Sequence, residues 1–410
     1  MTASILALFT ATYLGMALGR FPGLRVDRTG IALVAAILLL GIGALTSEQV
    51  VEAIDFPTIF ILFGLMVLSA QYAASGFYDW CALRVARAAR SPARLLAVTV
   101  LVAGGLSALL ANDVVVFAMT PMLCVGLTAR GLDPRPYLIA LAGAANAGSA
   151  ATVIGNPQNI LIGQIGHLDF WRFVGACGVP ALVGLAVVYA VVWFAWRGRF
   201  GLPDGDGGEG NGVELDRPQL VKAVVATLVL LGLFTTSLPH ETGVLLVAGA
   251  MLVSRRLATR NMLGMVDWHL LVLFAALFAV NHALGLTGLP AEMVGWLERE
   301  GWLPDRLAVM TPLALIASNS IGNVPAVILL LKAWSGPSEG ALYGLAVLST
   351  LAGNLILPGS LANIIVAERA QAAGVRLGFL DHARCGVPMT ILSMAFAVLW
   401  LWGMGWMRLF

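Results

Sequence analysis

Two long apolar runs, each interrupted by a short polar patch, set the strongest limit on how this chain can fold. The first extends from Pro92 to Ala129 and breaks at Asn112-Asp113; the second extends from Pro304 to Leu331 and breaks over Ser318-Asn-Ser-Ile-Gly-Asn323. Each run is too long for a single membrane span, which needs about 20 apolar residues. In a bilayer the interruption cannot face lipid, where each unpaired polar group costs roughly several kcal/mol. The tips Ser107 to Asn112 and Ser318 to Asn323 must therefore line a cavity or rest on protein. Two arms that enter and leave on one side make each run a re-entrant hairpin.

The rest of the composition agrees with a membrane setting. Hydrophobic residues make up 59% of the chain and charged residues 11%, against about 25% charged in soluble domains. Apolar segments follow one another nearly end to end, which gives an all-α polytopic membrane protein of roughly ten spans plus the two hairpins. No stretch reads as a soluble catalytic or nucleic-acid-binding domain. Cys81, Cys124, Cys177 and Cys385 lie far apart, without metal or redox spacing, so no cofactor is expected and no metal beyond a sodium ion. Thr2 to Leu18 has no basic residue before it and no small-residue cleavage site, and reads as a retained span.

The hairpins belong to a repeat. Ile54-Asp55-Phe56 matches Val266-Asp267-Trp268 at a shift of 212, Ser107 and Asn112 match Ser318 and Asn323 at 211, and Gly155 and Asn159 match Gly359 and Asn363 at 204. Residues 1–197 form the first repeat, with its hairpin at about 92–129 and a broken span at about 137–165. Residues 198–217, with Asp204, Asp206 and Glu209, read as a cytoplasmic linker. Residues 218–410 form the second repeat, with its hairpin at about 304–331 and broken span at about 342–366. The breaks are marked by Asn146 to Pro157 in one half and by Gly353-Asn354 and Leu357-Pro358-Gly359-Ser360 in the other; Pro157 removes a backbone donor and disfavours helix at Asn156. Arg84, Arg87 and Arg90 form a basic stripe on an interfacial segment.

Basic residues favour the cytoplasmic side. With both termini outside, only Arg172, Arg299, Arg306, Lys332 and Arg408 of the 24 Lys and Arg residues fall outside. This places a multi-pass protein in the cell inner (plasma) membrane, with its repeats inverted. Inverted repeats with one broken span each point to the binding site of a secondary transporter.

Half-helix N-termini carry partial positive charge and C-termini partial negative charge, so tips and breaks suit anions and cations respectively. Asn112, Ser149, Thr152, Asn159, Asn323, Ser360 and Asn363 are the candidate substrate ligands. Asp113, Ser107, Asn146, Ser318, Asn319, Thr350 and Asn354 are the candidate coupling-ion group. Asp113 is the one carboxylate placed deep in the membrane, where ionisable residues are costly and functional. Asp55 and Asp267 read as helix caps. No Lys or Arg falls at a tip or break, so an anion would lean on dipoles, neutral donors and a co-bound cation. His167, His240, His269, His282 and His382 fall near span ends. Gly359-Ser360 therefore has no histidine at matching depth to make an intramembrane serine protease.

Leu110-Ala-Asn112-Asp113 followed by Met119-Thr120-Pro121, the Asn323-Val-Pro325 of the second hairpin and Pro358-Gly359-Ser360-Leu361-Ala362 carry a family resemblance. Over essentially its whole length the chain resembles the arsenical-pump membrane protein and NhaD-type sodium/proton antiporter branches of the ion transporter superfamily, with divalent anion/sodium symporters as more distant relatives. Those symporters have Ser-Asn-Thr at both tips, and here only Ser318-Asn319-Ser320 is close. The resemblance implies hairpins that meet near mid-membrane, homodimers built through a scaffold domain, and an elevator-like motion. The function expected is ion-coupled transport of a small anion or oxyanion, whether carboxylate, sulfate-like or arsenite-like, coupled to sodium or protons. A sodium/proton antiporter using Asp113 is the alternative, and an integral membrane enzyme the alternative of another class. An ATPase, where one drives transport, is an external subunit, because the chain has no nucleotide motif.

Overall fold

The computed structural model describes residues 1–18, 26–87, 91–200, 215–236, 238–334 and 336–410. Arg20, Arg25, Arg90 and the acidic part of the linker lie outside these residues. The described part is helical, without a β-strand. Its first half runs α1 (Thr2–Leu18), α2 (Arg28–Gly41), α3 (Ser47–Ala53), α4 (Phe56–Ala74), α5 (Phe77–Arg87), α6 (Pro92–Leu109), α7 (Asn112–Thr128), α8 (Arg135–Ser149), α9 (Pro157–Ile165) and α10 (Phe170–Ala195). The second half runs α11 (Arg217–Leu233), α12 (His240–Leu252), α13 (Thr259–Leu263), α14 (Trp268–Gly285), α15 (Leu289–Arg299), α16 (Leu307–Ile321), α17 (Asn323–Ala333) and α18 (Glu339–Ala352). A 3-10 turn (Leu357–Gly359) then leads to α19 (Leu361–Ala372) and α20 (Phe379–Gly403).

Polar side chains decide where these helices begin. Asp55 and Asp267 accept the N–H groups of Thr58 and Leu270 at 3.2 and 3.0 Å, so the matched pair does cap α4 and α14. Asp27, Asp169 and Asp216 cap α2, α10 and α11 in the same way. Such caps supply acceptors for the orphan N–H groups of a first helical turn.

Among the described residues, five helices, α4, α6, α10, α14 and α20, are long and apolar enough to cross a membrane by themselves, and seven shorter apolar helices of 10–17 residues accompany them. Four of the short ones, α7, α16, α17 and α18, are pieces of apolar segments that a tip or a break cuts in two. The half-spans that precede the two breaks make the centre of the molecule: every residue of α8 from Pro136 to Ser149 is buried, as is all of α18 from Gly340 to Ala352. A helix buried on every side has little room, and α8 fits because it is rich in Ala and Gly. A Cβ on Gly148 would run into the backbone of Gly104 on α6. The outer helices present Leu14, Ile37, Leu101, Leu182, Phe194 and Leu399 outward, as a lipid-facing surface requires.

Candidate transport site

The two hairpins are α6 with α7 and α16 with α17, and their tips meet the two breaks. At the first tip, the Asn112 N–H donates to the Gly155 carbonyl at 3.2 Å, and the Thr152 hydroxyl donates to the Ala108 carbonyl at 2.6 Å. At the second, Asn319 Nδ2 donates to the carbonyls of Leu315 and Ala352, both at 2.9 Å. Gly322 turns the second tip with φ 94° and ψ 154°, a region essentially limited to glycine. The first tip turns through Leu110 and Ala111 with negative φ.

Each break is closed by the same device. Asn159 Nδ2 donates to the carbonyls of Ser149 and Thr152 at 3.2 and 3.0 Å, while the Asn159 N–H is capped by Asn156 at 2.9 Å. At a shift of 204, Asn363 Nδ2 donates to the carbonyls of Gly353 and Ile356 at 2.8 and 3.2 Å, and the Asn363 N–H is capped by Ser360 at 3.2 Å. The carbonyls stripped of helix partners by each interruption thus find amide donors.

These backbone bonds fix which way the neighbouring amides point. Asn363 uses its Nδ2 on Gly353 and Ile356, and Asn354 uses its Nδ2 on the Gly143 carbonyl at 3.2 Å. Both therefore turn Oδ1 toward Asn146, whose Nδ2 reaches Asn354 Oδ1 at 2.8 Å, Ser360 Oγ at 2.9 Å and Asn363 Oδ1 at 3.1 Å. Asn146 then has only Oδ1 to offer Asn112, whose Nδ2 approaches it at 3.5 Å. What remains at the first tip is the Asn112 Oδ1, buried and without a partner. The orientation is set by the network rather than assumed.

A cavity of about 490 Å³ opens on this arrangement. Its floor holds the buried Asn112, Asp113, Asn146, Asn323 and Ser360, with Gln158 and Gly322 beside them. Its mouth holds the exposed Asp27, His269 and Glu368, contributed by the starts of α2 and α14 and by the outer part of α19. Among the described lining residues there are four carboxylates, Asp27, Asp113, Asp267 and Glu368, and one guanidinium, that of the half-buried Arg28. The unpartnered buried side-chain atoms at the tips are all oxygens: Ser107 Oγ, Asn112 Oδ1, Ser318 Oγ, Asn319 Oδ1 and Asn323 Oδ1. Of these, the amide oxygens of Asn112 and Asn323 belong to residues that line the cavity, and they call for a cation or for a solute that donates hydrogen bonds.

The sequence profile of the citrate transporter family matches residues 7–345. The chain belongs to that family. The inner membrane protein YbiR of Escherichia coli (strain K12) is 32% identical over 346 residues, covering 82% of this chain and 87% of its own. The silicon efflux transporter LSI3 of Oryza sativa subsp. japonica is 26% identical over 449 residues, covering 92% of this chain and 93% of its own. In fold the chain is similar to the Alcanivorax borkumensis YdaH transporter, described as having an unusual topology, with a TM-score of 0.56 at 16% identity and 98% of each chain covered. This citrate transporter family member is thus a multi-pass membrane transporter, and the enzyme alternative falls away.

The residues read from the sequence separate into two shells of this site. Asn112, Asp113, Asn146, Asn323 and Ser360 line the cavity; Ser107, Ser149, Thr152, Asn159, Ser318, Asn319, Thr350, Asn354 and Asn363 stand outside its lining. Thr350 belongs to the packing between halves: its Oγ1 accepts from Asn156 Nδ2 and Gln158 Nε2, each at 3.2 Å. Asn156 Nδ2 also donates to Ser149 Oγ at 3.0 Å. Sequence reasoning missed Asp27, Arg28, His269 and Glu368, and saw Asp267 only as a cap. It placed His382 at a span end, the start of α20, and did not show that the side chain is buried there against the second break.

Proposed function

We propose that this family member is a cation-coupled secondary transporter for a small hydroxylated oxyacid of the arsenite or silicate type, working by an elevator-like alternating-access motion. The observation that carries this reading is the pair of unpartnered amide oxygens at the cavity floor, Asn112 Oδ1 and Asn323 Oδ1, in a lining with four carboxylates. An O–H-bearing solute satisfies Asn112 Oδ1 and Asn323 Oδ1 directly, whereas a bare polyanion meets unpaired oxygens and a surplus of carboxylates. The silicon named for the rice relative is a solute of this chemistry. Asp113 at the floor is the carboxylate proposed to take the coupling sodium ion or proton, in a cavity that Asn112 and Asn323 also line. The cavity in this conformation faces the side on which α2 and α14 begin, which the distribution of basic residues assigns to the cytoplasm.

Purified protein in proteoliposomes tests the proposal. Arsenite and silicic acid uptake is measured under an imposed sodium gradient and, separately, an imposed pH gradient, for the wild type and Asp113→Asn. Gradient-driven uptake that loses its gradient dependence in Asp113→Asn is the expected result. Full ion-coupled uptake by Asp113→Asn removes that residue from coupling. Collapse of a pH gradient on sodium addition, with no uptake of either solute, replaces the proposal with sodium/proton antiport.

A further inference from the structure

His382 sits in the first turns of α20, directly beneath the second break, and is 1% exposed. Its Nε2 lies 3.1 Å from the carbonyl oxygen of Asn354. A carbonyl can only accept, so the ring proton is on Nε2. The Asn363 Nδ2 found 3.5 Å from the same nitrogen is in packing contact, because it donates to the carbonyls of Gly353 and Ile356. Nδ1 has no partner. The ring therefore acts as a single N–H donor aimed at one backbone atom.

That atom belongs to the residue on which the amide chain turns. Asn354 is held by His382 at its carbonyl and by Gly143 at its Nδ2, and it presents Oδ1 to Asn146, which lines the cavity. The first half has no counterpart. Counting from Pro180 in α10 and Pro388 in α20, the position matching His382 is Val174, and at a shift of 204 Asn354 matches Ala150. A broken span that needed a histidine to hold its backbone would need one in both halves, and the first break closes without it. Close packing protects the contact: a Cβ on Gly386, one turn along α20, would overlap the Asn354 carbonyl and come within 3.1 Å of His382 Nε2.

We propose that His382 is a positioning residue of the transport site, whose Nε2–H sets the Asn354 backbone and through it the direction of the Asn146 amide at the cavity floor. This rests on the reading of the cavity as the solute site. Residues that orient metal ligands change affinity or activity by about 10–100-fold when altered, and the orienting contact of His382 is expected to act on the same scale.

The test uses the full chain with His382→Gln, His382→Asn and His382→Leu. Glutamine can bring an amide N–H to where Nε2 stands, asparagine is too short, and leucine fills the space without a donor. Two readouts are taken: the half-saturating arsenite concentration in proteoliposomes, and, independently of transport, the maleimide labelling rate of Leu361→Cys, a cavity-lining position beside Ser360. Expected is an unchanged half-saturation and labelling rate for the glutamine variant. The asparagine and leucine variants raise half-saturation by about tenfold and alter labelling, at an unchanged melting temperature. Equal behaviour of all three overturns the proposal, as does a lowered melting temperature with half-saturation and labelling unchanged. Where the leucine variant does not fold, asparagine against glutamine decides. Where the wild type takes up no arsenite, the transport reading has failed and the labelling comparison alone judges His382.

Discussion

Asn146 and Thr350 stand 204 positions apart in the sequence, and each reaches into the break of the other half. Asn146 on α8 contacts Ser360 and Asn363; Thr350 on α18 contacts Asn156 and Asn159, which match Ser360 and Asn363 at the same shift. Contacts exchanged in this way, residue to counterpart and counterpart to residue, are what a two-fold relation between units produces. The exchange is equal in position and unequal in chemistry: Asn146 joins three oxygens of the second break to the cavity floor, and Thr350 ties the first break by a hydroxyl.

Asn146 is the more exacting of the pair. Asn146→Ala leaves buried oxygens of Asn354 and Asn363 without their donor, at an expected cost of roughly 1–3 kcal/mol. Asn146→Asp places a carboxylate against those same oxygens and is expected to cost more than the alanine. Thermal unfolding of the detergent-purified variants checks the order, and a more stable Asp variant reverses the assigned amide direction.

Asn159 and Asn363 close their breaks through the same two carbonyl bonds. Asn159→Ala and Asn363→Ala should therefore destabilise by similar amounts, roughly 1–3 kcal/mol for each buried carbonyl left bare. Aspartate at either position keeps the size and loses both donors, so it should not restore stability. Melting curves of the four variants are the measurement.

The tips differ in backbone as well as in charge. Gly322 has φ 94°, so Gly322→Ala is expected to cost roughly 1–3 kcal/mol in backbone strain. No neighbour lies closer than 3.7 Å to the added Cβ, which leaves strain rather than collision as the cause. Ala111→Gly at the first tip, where φ is already negative, should cost only about 0.4–1 kcal/mol through the unfolded chain. Comparable losses for the two, read as shifts in melting temperature, would count against the tip geometry.

How much of this was legible beforehand follows from what repetition encodes. Asn112, Asn323, Asn159 and Asn363 stood out because each occurs twice at a fixed offset, and polar interruptions of apolar runs have few places to go. Asn146 and Asn354 were visible as polar residues in breaks, but not their hydrogen-bond directions, which depend on carbonyls of Gly143, Gly353 and Ile356 brought together by packing. Asp27, Arg28 and Glu368 carried no signal and His269 read only as a span-end residue, since nothing local says that the starts of α2 and α14 face α19 across a cavity. His382 does lie at a span end, in the first turn of α20, but nothing in the sequence shows that the second break packs over it. Gly322 read as part of a polar tip, and its φ supplies the reason a side chain is absent there.

The direction in which the cavity opens gives the last prediction. Asp27, His269 and Glu368 mark the mouth, at the starts of α2 and α14. At the other end of α14, a recess of about 110 Å³ is lined by Asn281, His282 and Lys332. The 18 residues of α14 separate those ends by about 27 Å at 1.5 Å per residue, close to the thickness of a bilayer core. The two openings therefore belong to opposite membrane faces. Arg255, Arg256, Arg260, Arg369 and Arg376 cluster on the Glu368 side, which the positive-inside tendency assigns to the cytoplasm. A membrane-impermeant maleimide should label Glu368→Cys in inside-out vesicles and Lys332→Cys in right-side-out ones, the native cysteines being buried. Labelling of both from one side would show that the recess and the cavity share a face. The reverse pattern would invert the orientation and leave the cavity open to the outside.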